Sequence, residues 1–169
     1  MPGRLSPFRS RILLVAATLL VAMSLAGVHA QSPEKPAAAA GRGELVYLPI
    51  YSSIFYENGQ QTLEMAATLS IHNVNPDRLI TITRTDYYDT SGKLIKRYLD
   101  KPLVLSPLQT KNVVIEKADK AGGTGANFLV EWRGTDDVTS PLIEAVMVNA
   151  SSNLGIAFTT TGKVVRSVK

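Results

Sequence analysis

The chain has 169 residues, 45% hydrophobic and 19% charged, with a formal net charge of +4 and no cysteine. That length suits one domain, and the composition is globular, which excludes disorder of the whole. Without cysteine there is no disulfide, thiolate nucleophile, thiolate metal site or lipidated cysteine after a leader, so stability has to come from burial.

Arg4, Arg9 and Arg11 precede an apolar stretch, Ile12 to Gly27, and Val28-His29-Ala30 places small residues where a signal peptidase cuts. The pattern predicts a signal peptide over 1–30 and a periplasmic or secreted mature chain beginning at Gln31. A run of this length is short for a membrane span of about 20 residues, so membrane contact is expected only through the leader, were it uncleaved. Setting its three arginines aside leaves 15 basic against 14 acidic residues. The basic excess therefore belongs to the leader, and no nucleic-acid partner is expected.

Residues 31–43 (QSPEKPAAAAGRG) lack apolar period and read as a flexible linker. The domain is expected over 44–165. Its first run, Leu45 to Tyr51, alternates, but Pro49 removes a backbone donor and predicts an edge strand. Thr62 to Asn73 places Leu63, Met65, Ala67, Leu69 and Ile71 on one face, a well-specified register. Leu79 to Tyr88 is rich in β-branched residues, Asp89-Thr90-Ser91-Gly92 suits a type I turn, and Lys93 to Leu99 returns, which predicts a hairpin. Thr110 to Glu116 reads as a further strand.

Gly122 to Asn149 carries two apolar runs, Phe128 to Trp132 and Leu142 to Val148, too short for good helices and expected as central strands. Phe128, Val130 and Trp132 share one face, which turns the single tryptophan inward. Leu69, Ile71, Val146 and Phe158 complete the expected core. A last strand at Leu154 to Thr161, a short extension to Val165 and a tail at 166–169 follow. Seven or eight strands with no helical period predict an all-β, immunoglobulin-like antiparallel β-sandwich.

Catalytic chemistry is sparse. One histidine, His72, remains outside the leader, on the expected solvent face of its strand. A triad could be drawn with Asp86 or Asp89, but no nucleophile-elbow pattern accompanies any serine. One histidine and no cysteine cannot build the usual zinc shell, so neither a metal nor a cofactor is expected. Asp119, Glu131, Asp136 and Asp137 lie near two loops without EF-hand spacing; a calcium-stabilised structural envelope protein is the alternative they support, and a Ser/Asp-dependent hydrolase a lesser one. Gly122-Gly123-Thr124-Gly125 lacks the ending and the following helix of a phosphate loop, and reads as glycines taking positive φ.

Tyrosines give the best lead. Tyr47, Tyr51, Tyr56, Tyr87 and Tyr88 fall in the first half of the chain and make a candidate contact surface, because tyrosine supplies large amphipathic area at low entropy cost. The expectation is a non-enzymatic binding or interaction module whose partner is another envelope protein or peptide.

The strings LSIHN from Leu69, YYDTSGKLIKRYLDKPLVLSPLQT over Tyr87 to Thr110, GGTGANFLVEW and PLIEAVMVN resemble the bacterial family catalogued as domain of unknown function 3124. The likeness runs over nearly all of Glu44 to Val165, and GANFLVEW and PLIEAVM are its most specific parts. It implies a small exported protein and brings no catalytic residues with it. The lipoprotein-type cysteine that some relatives carry after the leader is absent here.

Overall fold

The two apolar runs at the heart of the sequence become strands of two different sheets. The computed structural model describes residues 41–150 and 155–169; the leader at 1–30 and the linker up to residue 40 lie outside the described residues. In chain order the strands are β1 (Gly43–Pro49), β2 (Ser53–Tyr56), β3 (Gln61–Glu64), β4 (Ala66–His72), β5 (Ile80–Tyr88), β6 (Leu94–Arg97), β7 (Leu103–Leu105), β8 (Thr110–Ile115), β9 (Asn127–Arg133), β10 (Leu142–Asn149), β11 (Ile156–Thr161) and β12 (Lys163–Val168). One sheet is ordered β12-β1-β9-β5-β6, with β7 also on β5, the other β11-β10-β4-β8, and β2 and β3 form a separate ribbon. All pairings are antiparallel. The result is an all-β antiparallel sandwich.

Alternation decides what lies between the sheets. Val46, Leu48, Phe128, Val130, Trp132, Ile80 and Ile82 come from the first sheet, and Ala67, Leu69, Ile71, Ile143, Ala145 and Met147 from the second. Burying one such side chain contributes about 1.5–3 kcal/mol, so this interface is the main source of stability. Trp132 is fully buried, and its Nε1 donates to Glu44 Oε2 at 3.2 Å. Arg42 and Ser140 donate to the other oxygen of Glu44, so the carboxylate does not go unpartnered where burial would penalise it.

Five expectations need correction. The described residues hold twelve strands rather than seven or eight, because the run from Thr62 divides at Met65 and β2, β7 and β12 add short pieces. The first strand is not an edge: β1 lies between β12 and β9. Pro49 is tolerated because its pairing with β12 has ended at Tyr47, and its carbonyl, on the side where its N–H would be, accepts from Thr160 Oγ1 at 2.6 Å. Val146 is half-buried and faces outward beside Thr68 and Thr159, since β10 is apolar at both sets of alternate positions and Ile143, Ala145 and Met147 take the core side. Phe158 is partly buried against the core edge. The supposed tail is strand: β12 runs to Val168 and pairs with β1.

Candidate functional site

A groove of about 450 Å³ opens on the outer face of the β9-centred sheet, lined by Thr83, Arg84, Asp86, Arg97, Leu99 and Glu131. Two irregularities create it. Along β5 the pairing with β9 passes from Ile82↔Trp132 to Arg84↔Glu131, so Thr83 is an extra, bulged residue. The edge beside β5 is also interrupted: β6 pairs with Asp86 to Tyr88 and β7 with Ile80 to Ile82, and the chain between them leaves β5 partly uncovered. Bulges re-aim side chains and often border functional sites. Here the bulge resets the alternation so that Arg84, Asp86 and Tyr88 point outward while Thr85 and Tyr87 point in.

Inside the groove charges are unevenly matched. Asp86 is only 8% exposed at its side chain, with Arg84 Nε at 2.7 Å and Arg97 Nε at 4.0 Å. Arg84 also donates to the Tyr88 hydroxyl, with its guanidinium 6.0 Å from the centre of the Tyr88 ring. Burial works to lower the Arg84 pKa, but its hydrogen bond and ion pair with Asp86 outweigh that and raise it. Glu131 accepts from Thr83 Oγ1 at 3.0 Å and from Arg133 at 3.3 Å. Arg97, 70% exposed, is the group least committed to a partner inside the site. Asp86 thus sits between Arg84, at hydrogen-bond distance, and the more exposed Arg97.

The five tyrosines singled out in the sequence are not brought together. Tyr87 is fully buried and stacks on Phe128 with ring centroids 5.0 Å apart, so it cannot serve as a contact residue. Tyr51 is half-buried and packs on Phe158 at 5.8 Å. Tyr56 is exposed at the far end of β2. Tyr47 and Tyr88 remain, both half-buried on the outer face that carries the groove. Tyr47 pairs with Leu129, and Leu129 in turn with Asp86, which places Tyr47 two strands from the groove wall.

Other candidates separate as well. His72 lies on the outer face of the second sheet, its Nδ1 2.9 Å from Thr110 Oγ1 and its Nε2 3.5 Å from Glu144, whereas Asp86 faces outward on the first sheet and Asp89 sits in the hairpin turn. No triad assembles from them. Asp137 is held by Arg78 at 2.9 Å and by Thr135 at 2.5 Å; these hydrogen bonds, Thr135 first, lower its pKa. Asp119 accepts from Ala121 N in a loop at the other end of β9. Among the described residues no three His, Cys, Asp or Glu side chains gather as a metal site.

The glycine loop has a packing role. Thr90 N and Oγ1 both donate to the Gly122 carbonyl, Gly125 N donates to Thr90 Oγ1, and Ser52 Oγ donates to the Gly123 carbonyl. Only Gly123 in this loop has positive φ, at 74°. Gly122 is helical in φ and ψ, and its need is space for Tyr87.

Fold and groove together define the class: an antiparallel two-sheet domain with an open, charged groove beside a bulge on one outer face. The chain belongs to the family described as protein of unknown function DUF3124, which it matches over residues 43–165. No curated protein matches it. Among solved structures it is similar to the crystal structure of Thermotoga maritima 1070, with a TM-score of 0.44 and 13% identity over 71% of this chain and 92% of that one.

Proposed function

We propose that the domain is a non-catalytic, extracytoplasmic binding module that engages another envelope protein or peptide through the outer face of the β9-centred sheet. The observation that carries this reading is the groove, where a bulge and a broken edge strand expose Arg97 beside a held Arg84–Asp86 pair, with Tyr88 next to it as a hydrogen-bond partner of Arg84. Aromatic and arginine side chains are the residues most enriched at the energetic centres of partner interfaces. Tyr47 and Leu129 extend the face with half-exposed apolar area across the neighbouring strands.

The test is whether complexes isolated from cells making the chain depend on this face. Arg97→Glu and Tyr88→Ala should shrink them toward the free chain, while Tyr56→Ala should leave them intact. Complexes unaffected by both face variants would overturn the reading. Turnover of any substrate by the purified protein, abolished by a single Ser or Asp substitution, would replace it with the hydrolase alternative.

A further inference from the structure

We infer that the partner presents an extended acidic polypeptide segment, two carboxylates about six residues apart with apolar residues between them, laid across the strands of the β9-centred sheet. This rests on the reading of that face as the binding surface. The two outer faces of the sandwich differ in charge. On the first, outward positions in direct cross-strand register hold Arg84, Arg97, Arg133, Lys163 and Arg166 against Asp86 and Glu131. Across the described outward positions of the second, from Thr110 and Val114 on β8 to Thr159 and Thr161 on β11, there is no lysine or arginine. Both acids of the first face are already paired with arginine, so the excess is positive.

Register gives the excess a geometry. Arg97 pairs with Asp86, Asp86 with Leu129, Leu129 with Tyr47 and Tyr47 with Lys163, a single row across five strands. Directly paired residues point to the same side, and strands lie about 4.8 Å apart, so the two cations at its ends are about 19 Å apart. An extended peptide rises about 3.3 Å per residue and repeats its faces every second residue, so positions 1 and 7 of a segment meet the two cations, position 5 meets Tyr47, and position 3 falls between Asp86 and Leu129, where a further acid would be repelled and an uncharged residue is accepted. A dense polyanion fits poorly, because Asp86 repels charge between the cations and Leu129 offers none a partner. Charge complementarity at the ends and apolar contact in the middle select the sparse acidic segment.

The probe is a fluorescein-labelled nine-residue peptide with Glu at positions 2 and 8, Val at 4 and 6 and Thr elsewhere, titrated against the full chain in mild detergent by fluorescence anisotropy. Binding is expected, weakened about tenfold when both Glu become Lys and about fivefold by Arg97→Glu or Lys163→Glu, as exposed charge pairs are modest. The Arg97→Glu protein should prefer a peptide with one Glu replaced by Lys over the parent peptide. The inference is overturned if the Lys peptide binds as well as the Glu peptide, if inorganic polyphosphate binds more tightly per charge, or if no peptide binds at concentrations on the order of 1 mM. Crosslinks from Tyr88 to a partner segment without acidic residues would overturn this inference alone and leave the binding-module reading standing.

Discussion

Replacing Gly122 with alanine separates a packing role for the glycine loop from a merely flexible one. Gly122 has φ −74° and ψ −42°, a conformation in which alanine normally gains about 0.4–1 kcal/mol by restricting the unfolded chain. A Cβ there would overlap the Tyr87 hydroxyl and lie 2.8 Å from both Tyr87 Cζ and Ala126 Cβ. Tyr87 cannot move aside, since it is fully buried and stacked on Phe128. Overpacking of this kind costs about 1–3 kcal/mol, which reverses the sign of the substitution. Gly122→Ala should therefore lower the urea midpoint and take roughly 3–10 °C from Tm. Tyr87→Phe removes the overlapping oxygen but keeps Cζ, so the double variant should recover part of the loss, with a coupling of about 1 kcal/mol in a double-mutant cycle. A Gly122→Ala protein as stable as the parent, or a coupling near zero, would refute the close-packing argument.

Trp132→Ala should cost about 3–5 kcal/mol, because the ring is fully buried between the sheets; a variant melting within a degree or two of the parent would contradict its placement. Leu108 has φ 58° and is 67% exposed, so it bears left-handed strain of about 1–2 kcal/mol with little burial in return. Leu108→Asn should raise stability by about 0.5–1 kcal/mol in urea, and a lower midpoint would show that the strain is absent. Burial pushes the Tyr87 pKa up from 10.0 to about 12, with Ser52 opposing. Between those two values the unfolded chain releases its proton first, so stability is full below pH 10 and falls by about 2–3 kcal/mol as pH rises to 12. Tyr98, also raised by burial, titrates in the same direction, so Tyr87→Phe should flatten the alkaline fall only partly; an unchanged slope would be evidence against it.

Much of the sandwich is legible in residue order because one face of a strand has to be apolar. That rule places Met65, Leu69, Ile71, Phe128, Val130 and Trp132 inside, and Asp89 with Gly92 closes the β5–β6 hairpin as its turn chemistry demands: Asp89 Oδ1 accepts from Ser91 N and Lys93 N, and Gly92 has φ 78°. It fails where both faces are apolar, as in β10, and where a strand breaks the alternation, as Val164 and Val165 do in Lys163 to Val168. Pro49 misleads because a missing donor marks one side of one residue, not a whole strand. The groove is less legible still. Arg84, Asp86 and Tyr88 recur at every second position, a visible stripe, but Arg97 and Glu131 join them only through register across strands, and the bulge at Thr83 belongs to the pairing rather than to the sequence around it. The tyrosines cluster in order and scatter in space, since Tyr87 and Tyr88 must face opposite ways and the β2–β3 ribbon carries Tyr56 out of both main sheets.

Site-specific photocrosslinking in intact cells making the protein tests the central claim most directly. Photoreactive residues placed singly at Tyr88 and Tyr47 on the groove face, and at Thr68 and Val114 on the outer face of the other sheet, report which side of the sandwich meets a partner. One shared adduct is expected from Tyr88 and Tyr47, lost with Arg97→Glu, and none from Thr68 or Val114. Adducts confined to the second sheet, or absent from every position, would contradict the assignment of the β9-centred face as the binding surface.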